Sequence, residues 1–153
     1  MKNIEEIFNK AYKSHKENNF SSAEKLYNKI LTINSNHFET NFLLGSMLGS
    51  QKKYTEAKKF LNKAKQIKPK SDQVYNNLGM IFKELGEFED AIKSFKKAIQ
   101  LNSNYIHACN NLTNTYEVYS QKLFKLNRHA EAIKYVQKGP GLITFTQKNF
   151  SIK

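Results

Sequence analysis

Tyr75-Asn76-Asn77-Leu78-Gly79-Met80-Ile81-Phe82, followed by Ala91-Ile92-Lys93-Ser94-Phe95, is the stretch whose reading decides the fold. Its apolar residues recur at helical spacing in both halves, and Gly86 marks a turn between them. The segment therefore reads as two helices joined by a short connection. The same pattern returns on either side of it. Phe88 answers Tyr54 and Phe20, Ala91 answers Ala57 and Ala23, and Leu101 answers Ile67 and Ile33, each set spaced by 34 residues. Leu78 stands between Leu44 and Leu112 at the same interval, and Gly79 follows Gly45. A fixed period of this length marks an array of stacked helical hairpins, each burying its apolar face against its neighbours.

Working outward, four units are expected, at about residues 4–37, 38–71, 72–105 and 106–138. In the first, Ser21 and Glu24 have capping-box spacing, so its second helix is placed from Ser21-Ser22. Asn34-Ser35-Asn36 ends it. In the second, Lys53-Tyr54-Thr55 is read as the inner turn, and Pro69 stops the second helix because proline disfavours helical geometry in the residue before it. The fourth unit departs from the period. Phe82 precedes Ala91 by nine residues, whereas Tyr116 precedes Ala132 by sixteen. The seven additional residues amount to roughly two helical turns, or about 10 Å. With neither Gly nor Pro inside it, the helix from Ile106 to about Leu126 is expected to be lengthened rather than broken. The last helix, about 128–138, ends at Gly139-Pro140-Gly141. Residues 139–153 form a non-repeat tail, read as strand-like from Leu142-Ile143-Thr144-Phe145-Thr146.

Composition limits the function classes. The chain has 153 residues with a net charge of +12, from 25 Lys+Arg against 13 Asp+Glu. Arg128 is the sole arginine. Such a lysine-rich, arginine-poor balance argues against specific nucleic-acid readout, which leans on bidentate arginine contacts. Compositional bias explains the charge more simply than an acidic partner does. No apolar run approaches the roughly 18 residues of a membrane span, and the start lacks an apolar leader, so a cytoplasmic protein is expected. Asp72 and Asp90 are the only aspartates, Cys109 is the only cysteine, and the four histidines lack metal-ligand spacing. No phosphate-binding glycine loop or nucleophile elbow is present. The sequence offers no metal site, no cofactor site and no catalytic constellation.

The repeating residues resemble the tetratricopeptide repeat. Its pattern is matched most fully by Tyr75, Leu78, Gly79, Phe82, Ala91 and Phe95. The second unit offers Asn41, Leu44, Gly45, Leu48, Ala57, Leu61 and Pro69. The first is weaker, with Ile7, Lys10, Ala11, Ser14, Ala23 and Tyr27. The fourth has Cys109, Leu112, Thr113, Tyr116, Ala132 and Val136. The resemblance covers about residues 4–138. It implies an all-α, right-handed α-solenoid of helix-turn-helix hairpins, the last irregular, acting as a scaffold for protein–protein interaction.

In that family the first helices line a concave groove and the second helices form the back. The resemblance places Asn9 and Tyr12, then Asn76, Asn77 and Met80, then Asn110, Asn111 and Asn114 on the groove. Asn9, Asn77 and Asn111 hold one position in their units, a series broken by Leu43. An amide side chain carries two donors and an acceptor, so such a row can pair with the backbone of an extended peptide. It is similar to the asparagine ladder of O-linked N-acetylglucosamine transferases. The carboxylate clamp of cochaperones does not fit, since its places hold Phe8, Tyr12, Leu43, Gln73 and Asn77. Lysines such as Lys25, Lys29, Lys59, Lys63, Lys93 and Lys97 fall on the second helices. Two alternatives stand beside groove binding. The array could be the front module of a larger glycosyltransferase-, sulfotransferase- or oxygenase-like enzyme, or its lysine-rich back could bind acidic partners or RNA without specificity.

Overall fold

The computed structural model describes residues 2–138, and the strand-like reading of 139–153 falls outside them. Among the described residues the chain forms eight helices: α1 (Lys2–Lys16), α2 (Phe20–Ile33), α3 (Phe38–Ser50), α4 (Tyr54–Ile67), α5 (Asp72–Glu84), α6 (Phe88–Leu101), α7 (Ile106–Lys125) and α8 (His129–Val136). The starts of α2, α4 and α6 step by 34 residues, as do those of α3, α5 and α7. Each helix packs on the next in the chain, and α3, α5 and α7 also pack side by side. This is the all-α solenoid of hairpins that the period requires.

Each hairpin turns through one residue in the left-handed region: Asn18 (φ 58°), Lys52 (φ 62°), Gly86 (φ 77°) and Asn127 (φ 58°). The next amide then donates to a carbonyl five residues back, Asn19 to Ser14, Lys53 to Leu48, Glu87 to Phe82 and Arg128 to Leu123, each at 2.9 Å. This closure satisfies carbonyls orphaned at the end of the first helix. Two boundaries differ from the sequence reading. The second turn is Gln51-Lys52, and Tyr54 already opens α4. A left-handed lysine carries none of the glycine or asparagine signal that marks such turns. Helix α2 starts at Phe20 with Asn19 as its cap, the Asn19 side chain accepting from the Ser22 amide at 3.2 Å. Asparagine caps as well as serine, and here it stands two residues earlier. Pro69 does follow the end of α4, with Lys68 out of helical geometry before it (φ −125°, ψ 85°).

The fourth hairpin keeps its face despite the insertion. Helix α7 has 20 residues where α3 and α5 have 13 each. Seven residues return a helix to nearly the same face, drifting only about 20°. The added turns therefore still point inward and bring Tyr119 (6% exposed), Ser120 (3%) and Leu123 (0%) into the core beside Ala132. Sequence reading had set Thr113 in the place of Gly45 and Gly79. In the structure Thr113 is exposed, and Ser120 is the small buried residue in that part of α7. Tyr119 stacks on Phe88 with centroids 4.9 Å apart and donates a hydrogen bond to Glu89.

The core runs as two apolar clusters joined at Phe82, which packs against both. Close helix crossing inside each hairpin depends on small residues. A β-carbon built on Gly79 would lie 2.6 Å from the Phe95 ring, and one on Gly45 would lie 2.8 Å from Leu61 Cγ and 3.1 Å from its amide nitrogen. Phe95 is fully buried, so its ring cannot swing out to make room. Gly79→Ala is expected to destabilise the protein by about 1–3 kcal/mol through overpacking, despite the better helix propensity of alanine. A chemical unfolding midpoint equal to or above that of the wild type would contradict this crossing geometry.

Candidate functional site

The face shared by α3, α5 and α7 carries most of the expected groove residues. Packing of these three helices side by side makes it continuous. Asn77 is half-buried on α5, and Met80 lies one turn further along at 40% exposure. Asn110 and Asn114 are exposed on α7, with Asn111 half-buried between them. Asn76, by contrast, is 5% exposed and belongs to the interior.

The structure joins several of these amides into a relay across three helices. Asn111 Nδ2 donates to Asn76 Oδ1 at 3.0 Å, crossing from α7 to α5. Asn76 Nδ2 donates to Asn77 Oδ1 at 3.4 Å, and Asn77 Nδ2 donates to Ser46 Oγ at 2.8 Å, crossing to α3. Ser46 Oγ finally donates to the Phe42 carbonyl at 2.8 Å. A half-buried polar row is costly unless its members are paired, and here they satisfy one another. Beside the relay, Lys83 Nζ donates to Asn114 Oδ1 at 3.1 Å and lies 3.7 Å from Glu84. Between α3, α4 and α5 a cavity of about 390 Å³ opens, lined by Ser46, Tyr54, Asn77, Met80, Lys83 and Glu84. Tyr54 donates to Glu84 at 3.3 Å. Desolvation and the neighbouring Glu84 carboxylate raise the Tyr54 phenol above its ordinary value, so it stays a neutral donor at physiological pH.

Asn9 and Tyr12 lie on α1. Asn9 is exposed, and Tyr12 stacks on Phe8 with Lys16 Nζ 5.1 Å from its ring centre. Neither is joined to the relay. Ser46 and Lys83 are its members and neighbours whose pairing the sequence reading missed. A signal existed: Ser46–Asn77 and Lys83–Asn114 are both 31 residues apart, one period less a single helical turn. The lysines of α2, α4 and α6 stand on the other helices. Of these, Lys58 reaches Glu87 at 2.6 Å and Lys93 reaches Asp90 at 3.1 Å. Among the described residues no cluster of three or more His, Cys, Asp or Glu side chains could hold a metal, and no helix is long and apolar enough to cross a membrane.

Comparison with known proteins agrees with this architecture. No curated protein sequence matches the chain. Its fold is similar to an O-GlcNAc transferase from Thermobaculum terrenum, at 24% identity and a TM-score of 0.68 over 73% of this chain. The match spans only 22% of that longer chain. It is also similar to the first tetratricopeptide domain of Spaghetti bound to an HSP90 peptide, at 19% identity and a TM-score of 0.74, covering 78% of this chain and 94% of that one. MamA from Desulfovibrio magneticus gives 20% identity and a TM-score of 0.72, with 89% and 73% covered. Two models of the tetratricopeptide repeat match consecutive units, residues 38–71 and 73–105. With those units in register with hairpins on both sides, the chain carries tetratricopeptide repeats at residues 38–71 and 73–105.

Proposed function

We propose that the protein is an interaction scaffold that takes an extended peptide along the face of α3, α5 and α7. The observation that carries this reading is the polar row beside an open cavity, with Asn77, Met80, Lys83, Asn110 and Asn114 at its surface. Asn110 and Asn114 offer amides to a peptide backbone, Met80 offers an adaptable apolar contact, and Lys83 offers a positive charge. The Spaghetti domain, nearly all of which this chain spans, holds a peptide, which supports the reading by analogy of fold. Asn76 is part of the support beneath this surface, and Asn77 and Asn111 contribute their remaining lone pairs while bonded within the relay. Asn9 and Tyr12 extend the groove at its first hairpin. The units at about 4–37, 38–71, 72–105 and 106–138 act together as one binding array, without a catalytic role of its own.

The test is selection of binders from a random peptide library, followed by affinity measurement on variants. Met80→Glu/Asn110→Asp is expected to weaken the selected peptides at least tenfold, while Lys59→Glu/Lys63→Glu on α4 leaves them unchanged. The opposite pattern, loss only with the lysine variant and only at low salt, would move the function to the basic helices. A second reading treats the array as the front module of a larger enzyme. It is favoured by one observation, that the chain resembles only 22% of the transferase.

A further inference from the structure

Basic charge in this protein is sorted by helix. Helices α3 and α5 carry one lysine between them, Lys83, against Glu39, Asp72 and Glu84. Their hairpin partners α4 and α6 carry four lysines and three. Compositional bias accounts for the number of lysines but not for this division, because both sets of helices draw on the same composition. The lysines also fall in register. Lys25, Lys59 and Lys93 are spaced by 34 residues, and so are Lys29, Lys63 and Lys97. Within each helix the two members are four residues apart, so they lie on one side, one turn apart. Two rows of ammonium groups therefore run across α2, α4 and α6.

Local pairing leaves much of this charge free. The nearby acids are engaged singly: Glu24 with Lys53 at 3.4 Å, Asp90 with Lys93 at 3.1 Å, and Glu89 with Tyr119. Among the described residues Lys25, Lys29, Lys59, Lys63 and Lys96 form no ion pair. On α1, by contrast, Lys10 pairs with Glu6 and Lys13 with Glu17. Like charges four residues apart on a helix repel, a cost that an anionic partner removes. The partner is not a nucleic acid read by its bases. Arg128, the sole arginine, lies outside these three helices, and none of their aromatic side chains is exposed as a stacking platform. The rows are also spread out, since α3, α5 and α7 pack side by side whereas α2, α4 and α6 pack on the first helices instead. Hydrated lysines on flexible stems, spread in this way, suit headgroups that diffuse into place beneath them. We propose that the exposed sides of α2, α4 and α6 dock the protein peripherally on a membrane surface rich in anionic headgroups. This surface is separate from the α3, α5 and α7 face and does not depend on peptide binding there.

The experiment is co-sedimentation of the full chain with vesicles of phosphatidylcholine alone or with about one third phosphatidylserine. Binding is expected only with phosphatidylserine, and is expected to fall as ionic strength rises past about 0.15 M, where charges more than about 8 Å apart are screened. Each lysine at such a surface contributes about fivefold to the partition constant. Lys25→Gln/Lys29→Gln/Lys59→Gln/Lys63→Gln is therefore expected to weaken binding about a hundredfold or more. The control, Lys10→Gln/Lys13→Gln/Lys16→Gln/Lys125→Gln, removes the same charge from α1 and α7 and should bind at least tenfold better than the first variant. Circular dichroism at 222 nm establishes that both variants are folded. Equal loss in the two variants would mean that binding follows net charge alone and overturns the proposal. So does binding that ignores phosphatidylserine. Retention of an unstructured RNA more strongly than of the vesicles, lost with the same four lysines, would assign the face to nucleic acid instead.

Discussion

Phe95→Ala is expected to destabilise the protein by about 3–5 kcal/mol. Phe95 is fully buried, and its ring fills the space over Gly79 that α5 leaves open. Removing it deletes apolar contact and leaves a cavity that cannot collapse, because Ala91 and Ala98 on the same helix are already small and fully buried. For a chain of this size the loss corresponds to a fall in melting temperature of roughly 10 °C. The effect should spread in both directions, since the third hairpin lies between the two clusters that Phe82 connects. Gly79→Ala in the Phe95→Ala background should cost less than it does alone, because the added methyl then enters vacated space. Denaturant unfolding followed at 222 nm measures both quantities. An unchanged midpoint for Phe95→Ala would mean that the α5–α6 crossing is not as described.

Leu123→Ala should cost about 2–5 kcal/mol, with a different distribution. Leu123 is 0% exposed and lies in the added turns of α7, where it packs with Tyr116, Tyr119 and Ala132. Its carbonyl also accepts from Arg128 at 2.9 Å to close the last turn. Among the described residues the fourth hairpin packs against one other hairpin, so in a nearly one-dimensional array its loss need not propagate. The expected result is that amides of α8 lose hydrogen-exchange protection while those of α3–α6 keep most of theirs. Uniform loss across all helices would show the array to be a single cooperative unit and would count against a locally anchored α8.

These two substitutions also divide what could be read early from what could not. Phe95 and Gly79 were legible because three hairpins repeat their positions, and repetition separates core places from accidental apolar residues. Leu123 lay in the insertion, where the period lapses. Its burial follows only once a heptad is recognised to keep the helix face, and Ser120 rather than Thr113 takes the small-residue place for the same reason. The groove divides similarly. The asparagines drew attention by register, but register does not say whether an amide faces solvent or a neighbouring helix. Asn76 and Asn77 are adjacent in sequence, yet one is interior and the other half-exposed, because successive helical residues point about 100° apart.

The sequence by itself determined the helical hairpins, their stacking order and the lengthened α7. All of these follow from local periodicity and from residues that permit or forbid helix. Only the tertiary structure decided which polar side chains satisfy one another, through contacts between residues 31 and 35 positions apart. It alone placed Asn76 in the interior and left Asn77 half-buried beside it. Those features depend on the offset between neighbouring helices and on their relative lengths, which no single helix encodes.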